Sequence, residues 1–347
     1  MEPTEERVNG TAAEESPVDL TFTMFEMITG FTLSQAVYVA AKLDIPTMLS
    51  QGPSAVDDLA ARTGAHADNL RRILRTLASY DVVREESDDV YGLRPLGGTL
   101  VAGAPGSTRD FALMLVETQY GHFDRLLDTV RTGVTAADLY HGRPYFDWLS
   151  ESPEHVALFS KAMVTSTSGM LTPLLANYRL PEGGTVADIG GADGTLLASL
   201  LADTPSRKAI LFDLPEVVPA AQRLLKERGL HEQVDVVEGS FFTSVPQADV
   251  YILKNILHDW DDEKCVVILR NIARAATPGA RLVVIDMIVP PGNVQHLSKK
   301  TDLIMMGTHG GKERTAAEFE SLFATAGMAV DRVIPTPAYS VIEATLR

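Results

Sequence analysis

The chain has 347 residues, 45% of them hydrophobic, enough for two domains and a sizeable core. Its formal net charge of −16 sets it against nucleic acid and anionic membranes wherever no local basic patch intervenes. A single cysteine, Cys265, excludes an internal disulfide and points to a reducing compartment, and neither a membrane-length apolar run nor a basic-then-apolar signal segment is present.

Residues 1–19 are acidic and polar and read as the disordered tail of a cytoplasmic protein. From residue 20 to 110 the pattern is helical. Phe22, Phe25, Met27, Ile28, Phe31, Val37, Val39 and Leu43 crowd too densely for one narrow buried stripe, so the first helix is expected to bury apolar surface against a second subunit, making a homodimer. Residues 55–64 and 69–80, followed by a small β-wing ending at Val90-Tyr91-Gly92-Leu93, read as a winged helix. Arg71, Arg72 and Arg75 could track phosphates, and a DNA-binding regulator is the alternative. The acids at 57, 58, 68, 81, 85, 86, 88 and 89 argue instead for a packing and dimerisation scaffold.

Residues 111–180 read as a helical linker and substrate lid, and 181–347 as the catalytic domain, where β-branched runs alternate with helical ones as in a parallel sheet wrapped by helices. Strands are predicted at 185–189, 208–212, 234–238, 250–254 and 281–286, with 328–336 and 339–345 as a closing antiparallel hairpin. The fold class is therefore α/β, a doubly wound Rossmann-like sheet behind an N-terminal all-helical winged-helix domain. In such a sheet the ligand lies at the carboxyl ends of the strands. Gly190, Asp213, Gly239-Ser240-Phe241, Lys254, His258 and Asp286 all fall there.

The first strand breaks into Gly190-Gly191-Ala192-Asp193-Gly194, and the second ends in Asp213, placed to accept from a ribose diol. Acids inside this corner, with Asp188 just before it, would repel a pyrophosphate. They suit a ligand without phosphates that carries positive charge and an adenosine diol, S-adenosylmethionine in preference to a dinucleotide. Past the fourth strand, His258 in Lys254-Asn255-Ile256-Leu257-His258-Asp259-Trp260 is the side chain best matched to removing a proton near neutrality, with Asp286 and Glu313 as candidates to hold its second nitrogen. No second histidine or cysteine lies at ligand spacing from it, so no metal is expected.

The ordered set Val186-Ala187-Asp188-Ile189-Gly190-Gly191, Phe212-Asp213-Leu214-Pro215, Gly239-Ser240-Phe241-Phe242, the 254–260 run and Gly310-Gly311-Lys312-Glu313-Arg314 resembles the small-molecule O-methyltransferases, the plant phenylpropanoid and flavonoid enzymes and the bacterial polyketide-tailoring enzymes. The resemblance covers nearly the whole chain. It implies His258 as proton acceptor, flanked by Asp286 and Glu313, and a cofactor site formed by Asp188, Gly190, Gly191, Asp213, Leu214, Gly239, Ser240, Phe241 and Lys254. It departs from the family pattern at Ala192 for a glycine, Ser240 for an acid and Asp286 for a glutamate. These departures leave room for relatives that use the bound cation to steer hydroxylation, decarboxylation or pericyclic chemistry. The aromatic acceptor is expected against Phe159, Met163, Met170, Asn255, Met305 and Met306.

Overall fold

A computed structural model describes residues 17–336 and 338–346, in two compact units, one ending at Val101 and the other beginning at Ala102. The expected tail at 1–19 lies outside the described residues except at its end, where it is corrected: the first helix, Pro17–Lys42, already contains residues 17–19. Of that helix, Phe22, Phe25, Met27, Ile28 and Phe31 are exposed, each by more than half, whereas Ala36, Ala40 and Ala41 are buried. The crowding read from sequence is thus a bare apolar face on a single chain.

The first unit is not all-helical. Helices Val56–Thr63 and Ala67–Ser79 are joined to a three-stranded sheet of β1 (Ser54–Ala55), β2 (Val83–Ser87) and β3 (Val90–Leu93), ordered β1-β3-β2. Leu70, Leu74 and Leu77, spaced i, i+4, i+7, form the buried stripe of the second helix. Gly64, at φ 71°, closes the first by adopting a left-handed conformation that costs other residues energy. Arg71 is held by Asp89 at 2.7 Å and Asp68 at 3.0 Å, so one of the three arginines that could track phosphates is already paired with the wing, while Arg72 and Arg75 are exposed.

In the second unit, the stretch expected at 111–180 is helical and belongs with the sheet. Its longest element is Pro153–Asn177. The sheet contains β4 (Val186–Ile189), β5 (Ala209–Asp213), β6 (Val234–Glu238), β7 (Val250–Lys254), β8 (Arg281–Asp286), β9 (Ala329–Pro335) and β10 (Ser340–Thr345), ordered β6-β5-β4-β7-β8-β10-β9. Strands β4 to β8 run parallel. Strand β10 is antiparallel to both β8 and β9, so the predicted hairpin is present and inserts its second strand beside β8.

Both faces of this sheet are buried. Ala187, Ile189, Tyr251, Leu253, Leu282 and Val284 pack on one side, and Val186, Val250, Ile252, Val283 and Ile285 on the other. That is why β5, β7 and β8 read as near-continuous apolar runs, whereas the edge strand β6, Val-Asp-Val-Val-Glu, is largely exposed. The chain winds outward from β4 through β5 to β6, then restarts beside β4 with β7. The crevice at that reversal opens at the carboxyl ends of β4, β5 and β7. Among the described residues, no helix is long and apolar enough to cross a membrane.

Candidate active site

The turn after β4 is tied to the end of β5. The amides of Gly190 and Gly191 donate to the Phe212 carbonyl at 2.8 and 3.4 Å, and the Asp213 carboxylate accepts from the amides of Ala192 at 2.8 Å and Leu214 at 2.7 Å. A Cβ on Gly191 would lie 2.9 Å from Asp188 Oδ2, and one on Gly239 would lie 2.7 Å from the Phe212 ring. The backbone therefore runs against these side chains at distances only glycine permits. Ala192 holds a φ of 50° in the left-handed region, where glycine is at ease and alanine is strained. The departure noted at Ala192 is thus a strained residue at the centre of the turn.

The charge of this corner is acidic and poorly compensated. Asp188 is 2% exposed and its Oδ2 has no hydrogen-bond partner. Burial, reinforced by Asp213, raises its pKa to about 7. Burial raises Asp213 as well. Lys254, whose Nζ lies 5.8 Å from the centre of the Tyr339 ring, is lowered to about 8 by burial against the pull of Asp286 and Asp188. A buried Asp188 with one unpartnered oxygen and a half-buried Asp213, opposed only by a lysine whose charge burial disfavours, beside glycines with no room for a side chain, fit a cationic ligand and disfavour an anionic one. The residues present therefore suit the sulfonium, ammonium and diol of the cofactor expected from sequence.

Ser240 and Phe241 follow β6. Ser240 Oγ accepts from the Phe242 amide at 3.3 Å, and the Phe241 carbonyl is held at 2.9 Å by Asn271, a buried residue that sequence reading did not single out. Phe241, Phe242 and Trp260 form an aromatic group with centroids 4.8 and 4.9 Å apart along the chain of contacts.

His258 sits on the short turn Leu257–Asp259 after β7. Its Nδ1 lies 2.9 Å from Glu313 Oε1 and its Nε2 lies 3.5 Å from Asp259 Oδ1. Glu313, not Asp286, is the hydrogen-bonded partner. Asp286 Oδ1 accepts from the Asn255 amide at 3.1 Å, and its other oxygen has no partner, so it acts on His258 through its charge. Burial alone would lower His258. The charges of Asp259, Glu313 and Asp286 override it and raise the imidazole to about 9. Asp286 itself is raised to about 7 by burial. Asn255 adopts φ 53°, and its side chain donates to Tyr339 at 3.1 Å, so a strained residue separates the cofactor corner from the histidine.

A second loop fixes the first. Arg314 is fully buried, donates to the carbonyls of Leu257 at 2.7 Å and Trp260 at 2.9 Å, and forks onto Asp262 at 2.7 and 3.0 Å. A Cβ on Gly311 would lie 2.0 Å from the His258 carbonyl. Glu313 is in turn set by its backbone amide, which donates a hydrogen bond to Asp302 Oδ1 at 2.9 Å.

Of the expected acceptor contacts, Phe159 lies in a cluster with Tyr145 and Phe146, Met305 is 7% exposed beneath His309, and Met163 and Met306 are half-buried. Met170 packs against the core of the sheet, the bland use of a methionine. Sequence reading missed His122 and His309, which lie against Tyr145, and His141, which lies against His122.

Residues 123–329 match the model of the O-methyltransferase domain, and residues 25–103 that of the O-methyltransferase dimerisation domain. The chain is 40% identical to the phenazine O-methyltransferase PhzM of Lysobacter antibioticus, over 94% of this chain and 96% of that one. It is 35% identical to the 8-amino-8-demethylriboflavin N,N-dimethyltransferase of Streptomyces davaonensis, over 88% and 90%. Among solved structures it resembles an O-methyltransferase from neocarzinostatin biosynthesis, in complex with S-adenosylmethionine and 2-hydroxy-5-methyl naphthoic acid, with a TM-score of 0.77, 34% identity and coverage of 90% and 96%.

Proposed function

The chain belongs to the S-adenosylmethionine-dependent O-methyltransferase family, and we propose that its acceptor is a phenolic hydroxyl of a multi-ring aromatic metabolite, deprotonated by His258. The observation that carries this reading is the buried His258–Glu313 pair at 2.9 Å, one short turn beyond the strand that ends in Lys254. The aromatic acceptor is inferred from the names of the relatives, and the hydroxyl from the chemistry of the histidine.

Bound S-adenosylmethionine supplies an electrophilic methyl group on a positively charged sulfur. Asp213 would hold the ribose diol, the Gly190–Gly191 turn and Asp188 the amino-acid end, and Ser240 and Phe241 the adenine, while Asp188 and Asp286 offer the ligand's charge a buried partner. A phenol near pKa 10 is mostly neutral at pH 7, so a base on its proton is useful. Neutral His258 takes that proton on Nε2, and Glu313 on Nδ1 fixes the tautomer and stabilises the imidazolium that forms. A nitrogen acceptor is the second reading, favoured by the N,N-dimethyltransferase relative.

The test is product analysis with labelled S-adenosylmethionine and a panel of phenols and aromatic amines. Formation of labelled ether and S-adenosylhomocysteine is expected. Tight cofactor binding without S-adenosylhomocysteine from any phenol would move the chain to the non-methylating relatives. Asp213→Ala is expected to weaken cofactor binding by roughly 30- to 150-fold, from about 2 to 3 kcal/mol of charge-assisted hydrogen bonding. Calorimetry checks it, and unchanged affinity would remove Asp213 from the site.

We further propose a cytoplasmic homodimer closed by the exposed face of Pro17–Lys42. Replacing Phe25 and Ile28 together by glutamate places charge in the middle of that face and is expected to yield monomer or precipitate in light scattering. A dimer of unchanged mass would show the face lies elsewhere.

A further inference from the structure

The region between His258 and the helix Pro153–Asn177 contains a polar cluster that methyl transfer does not use. His122 is 1% exposed, with Nε2 at 3.0 Å from Thr308 Oγ1 and no partner for Nδ1. His141 Nε2, His309 Nδ1 and the amide oxygen of Gln119 are likewise buried without a partner. Ring centroids place His122 5.9 Å from His141 and 6.0 Å from Tyr145, while His309 lies 5.1 Å from Tyr145 and stacks on Phe146 at 4.7 Å. His309 is near enough to Asp259 and His258 for their charges to act on it. The cluster therefore begins within electrostatic reach of the base.

Four unpartnered polar atoms in one buried neighbourhood are costly, on the order of 1–3 kcal/mol each, and a fold keeps them where something completes them. A second observation marks the same place. Residues Leu115–Gln119 form a π-helical turn that ends on Gln119 and is followed at once by the turn carrying His122. Such a turn is unfavourable in an ordinary helix and recurs at functional sites. Here it turns Gln119 and His122 inward while Thr118 accepts the Tyr145 hydroxyl at 2.8 Å.

Resting on the methyl-transfer reading, we infer that His122, His141, His309 and Gln119 select the acceptor. They form a recognition edge for a flat, uncharged aromatic whose far rim carries hydrogen-bonding heteroatoms, such as ring nitrogens or carbonyls. Tyr145, Phe146 and Trp148 hold the imidazoles in place, Trp148 stacked 4.0 Å from His141 and Phe146 4.7 Å from His309, so the contact left to an acceptor is with the unpartnered ring nitrogens. Burial holds His122 neutral, at about 4, and lowers His141 and His309. Neutral imidazoles offer hydrogen bonds without a charge, and the nearby cation of Arg143 is already forked onto Glu151, so a carboxylate would find its charge uncompensated. This assigns three histidines to specificity and leaves His258 alone with the chemistry.

The experiment measures equilibrium binding of three probes of one outline to the full chain saturated with S-adenosylhomocysteine: a hydroxyanthracene, a hydroxyphenazine and a hydroxyanthracene carboxylate. The hydroxyphenazine is expected to bind at least tenfold more tightly than either of the others. His309→Phe, which keeps the stack on Phe146, and His122→Phe with Thr308→Val, which removes both ends of that hydrogen bond, are each expected to shrink the preference to within threefold. S-adenosylhomocysteine affinity should be unchanged in both, which separates lost recognition from lost folding. Equal binding of the three probes, tightest binding of the carboxylate, binding of none, or a preference that survives both variants would overturn the assignment. Because binding is read without turnover, a protein that failed to methylate any probe would contradict the proposed reaction and leave this recognition edge standing.

Discussion

His258→Ala is expected to lower kcat by roughly 10²-fold or more at pH 7 while leaving S-adenosylmethionine affinity within about twofold, since general-base catalysis carries a share of 10² to 10⁴. The pH profile should be unusual for a histidine. The base works only when neutral, and Asp259, Glu313 and Asp286 hold it charged up to about 9 against the effect of burial. In the free enzyme kcat/KM should therefore climb with pH through a value far above 6.5. In the complex the bound cation opposes the imidazolium, so kcat should level off at lower pH. The same shift bears on stability. A group raised in the folded state contributes fully below its unfolded value, so this contribution is present below about 6.5 and disappears as pH rises through about 9.

In His258→Ala that inflection should vanish, with added hydroxide partly restoring the rate. Glu313→Gln removes one of the charges that raise His258, so it should displace the inflection to lower pH with a smaller loss of rate. Two results would remove His258 from the role of base: turnover of His258→Ala at the wild-type rate, or a wild-type profile flat from pH 6 to 9.

Strands β5, β7 and β8 were legible because strands buried on both faces read as near-continuous apolar runs, the exposed edge strand β6 because of its valines, and β6, β7 and β8 carry the predicted limits. The corner proposed for the cofactor was read from local features, glycines that answer a demand of the backbone and an aspartate at a strand end. What stayed hidden depends on contacts between distant segments. Nothing local distinguishes Glu313 from Asp286 as the partner of His258, since residues 258 and 313 meet only when the 310–314 loop packs on the turn after β7. His122 lies on a short 3-10 turn, His141 ends the helix Ala136–His141 and His309 caps the helix Leu297–Thr308, so nothing local joins them, and no periodicity announces a π-helical turn at 115–119. The bare face of Pro17–Lys42 was visible beforehand, because excess apolar density needs no tertiary knowledge to detect.

Arg314→Met is expected to be the most damaging single change outside the reacting groups. The guanidinium joins the turn bearing His258 to the loop bearing Glu313 through the carbonyls of Leu257 and Trp260 and the carboxylate of Asp262. Asp262 is half exposed and can be rehydrated once its partner is gone. The Leu257 carbonyl cannot, because Leu257 is fully buried. Both carbonyls lose a charged donor and keep only weaker ones, the Trp260 amide at 3.4 Å and Cys265 Sγ at 3.2 Å on Leu257 and Cys265 Sγ at 3.5 Å on Trp260. Two charge-assisted hydrogen bonds at roughly 1.5–3 kcal/mol each predict a loss of about 3–6 kcal/mol, a fall in melting temperature of about 5–20 °C. The rate should fall further than stability alone explains, since displacing His258 from Glu313 by about 1 Å costs on the order of 10²-fold. Cofactor affinity should hold at temperatures where the variant is folded, because Gly190, Asp213 and Ser240 hang from β4, β5 and β6 and take nothing from this clamp. Gly311→Ala offers an independent route to the same failure, its added carbon meeting the His258 carbonyl with no flexible atom to yield. Arg314→Lys keeps the charge but loses the planar fork, so it should recover part of the stability and little of the rate. Thermal unfolding, calorimetry and steady-state rates on the three variants decide the matter. If Arg314→Met lost stability yet kept the wild-type rate when folded, the clamp would serve the fold alone and His258 would be positioned by its own strand.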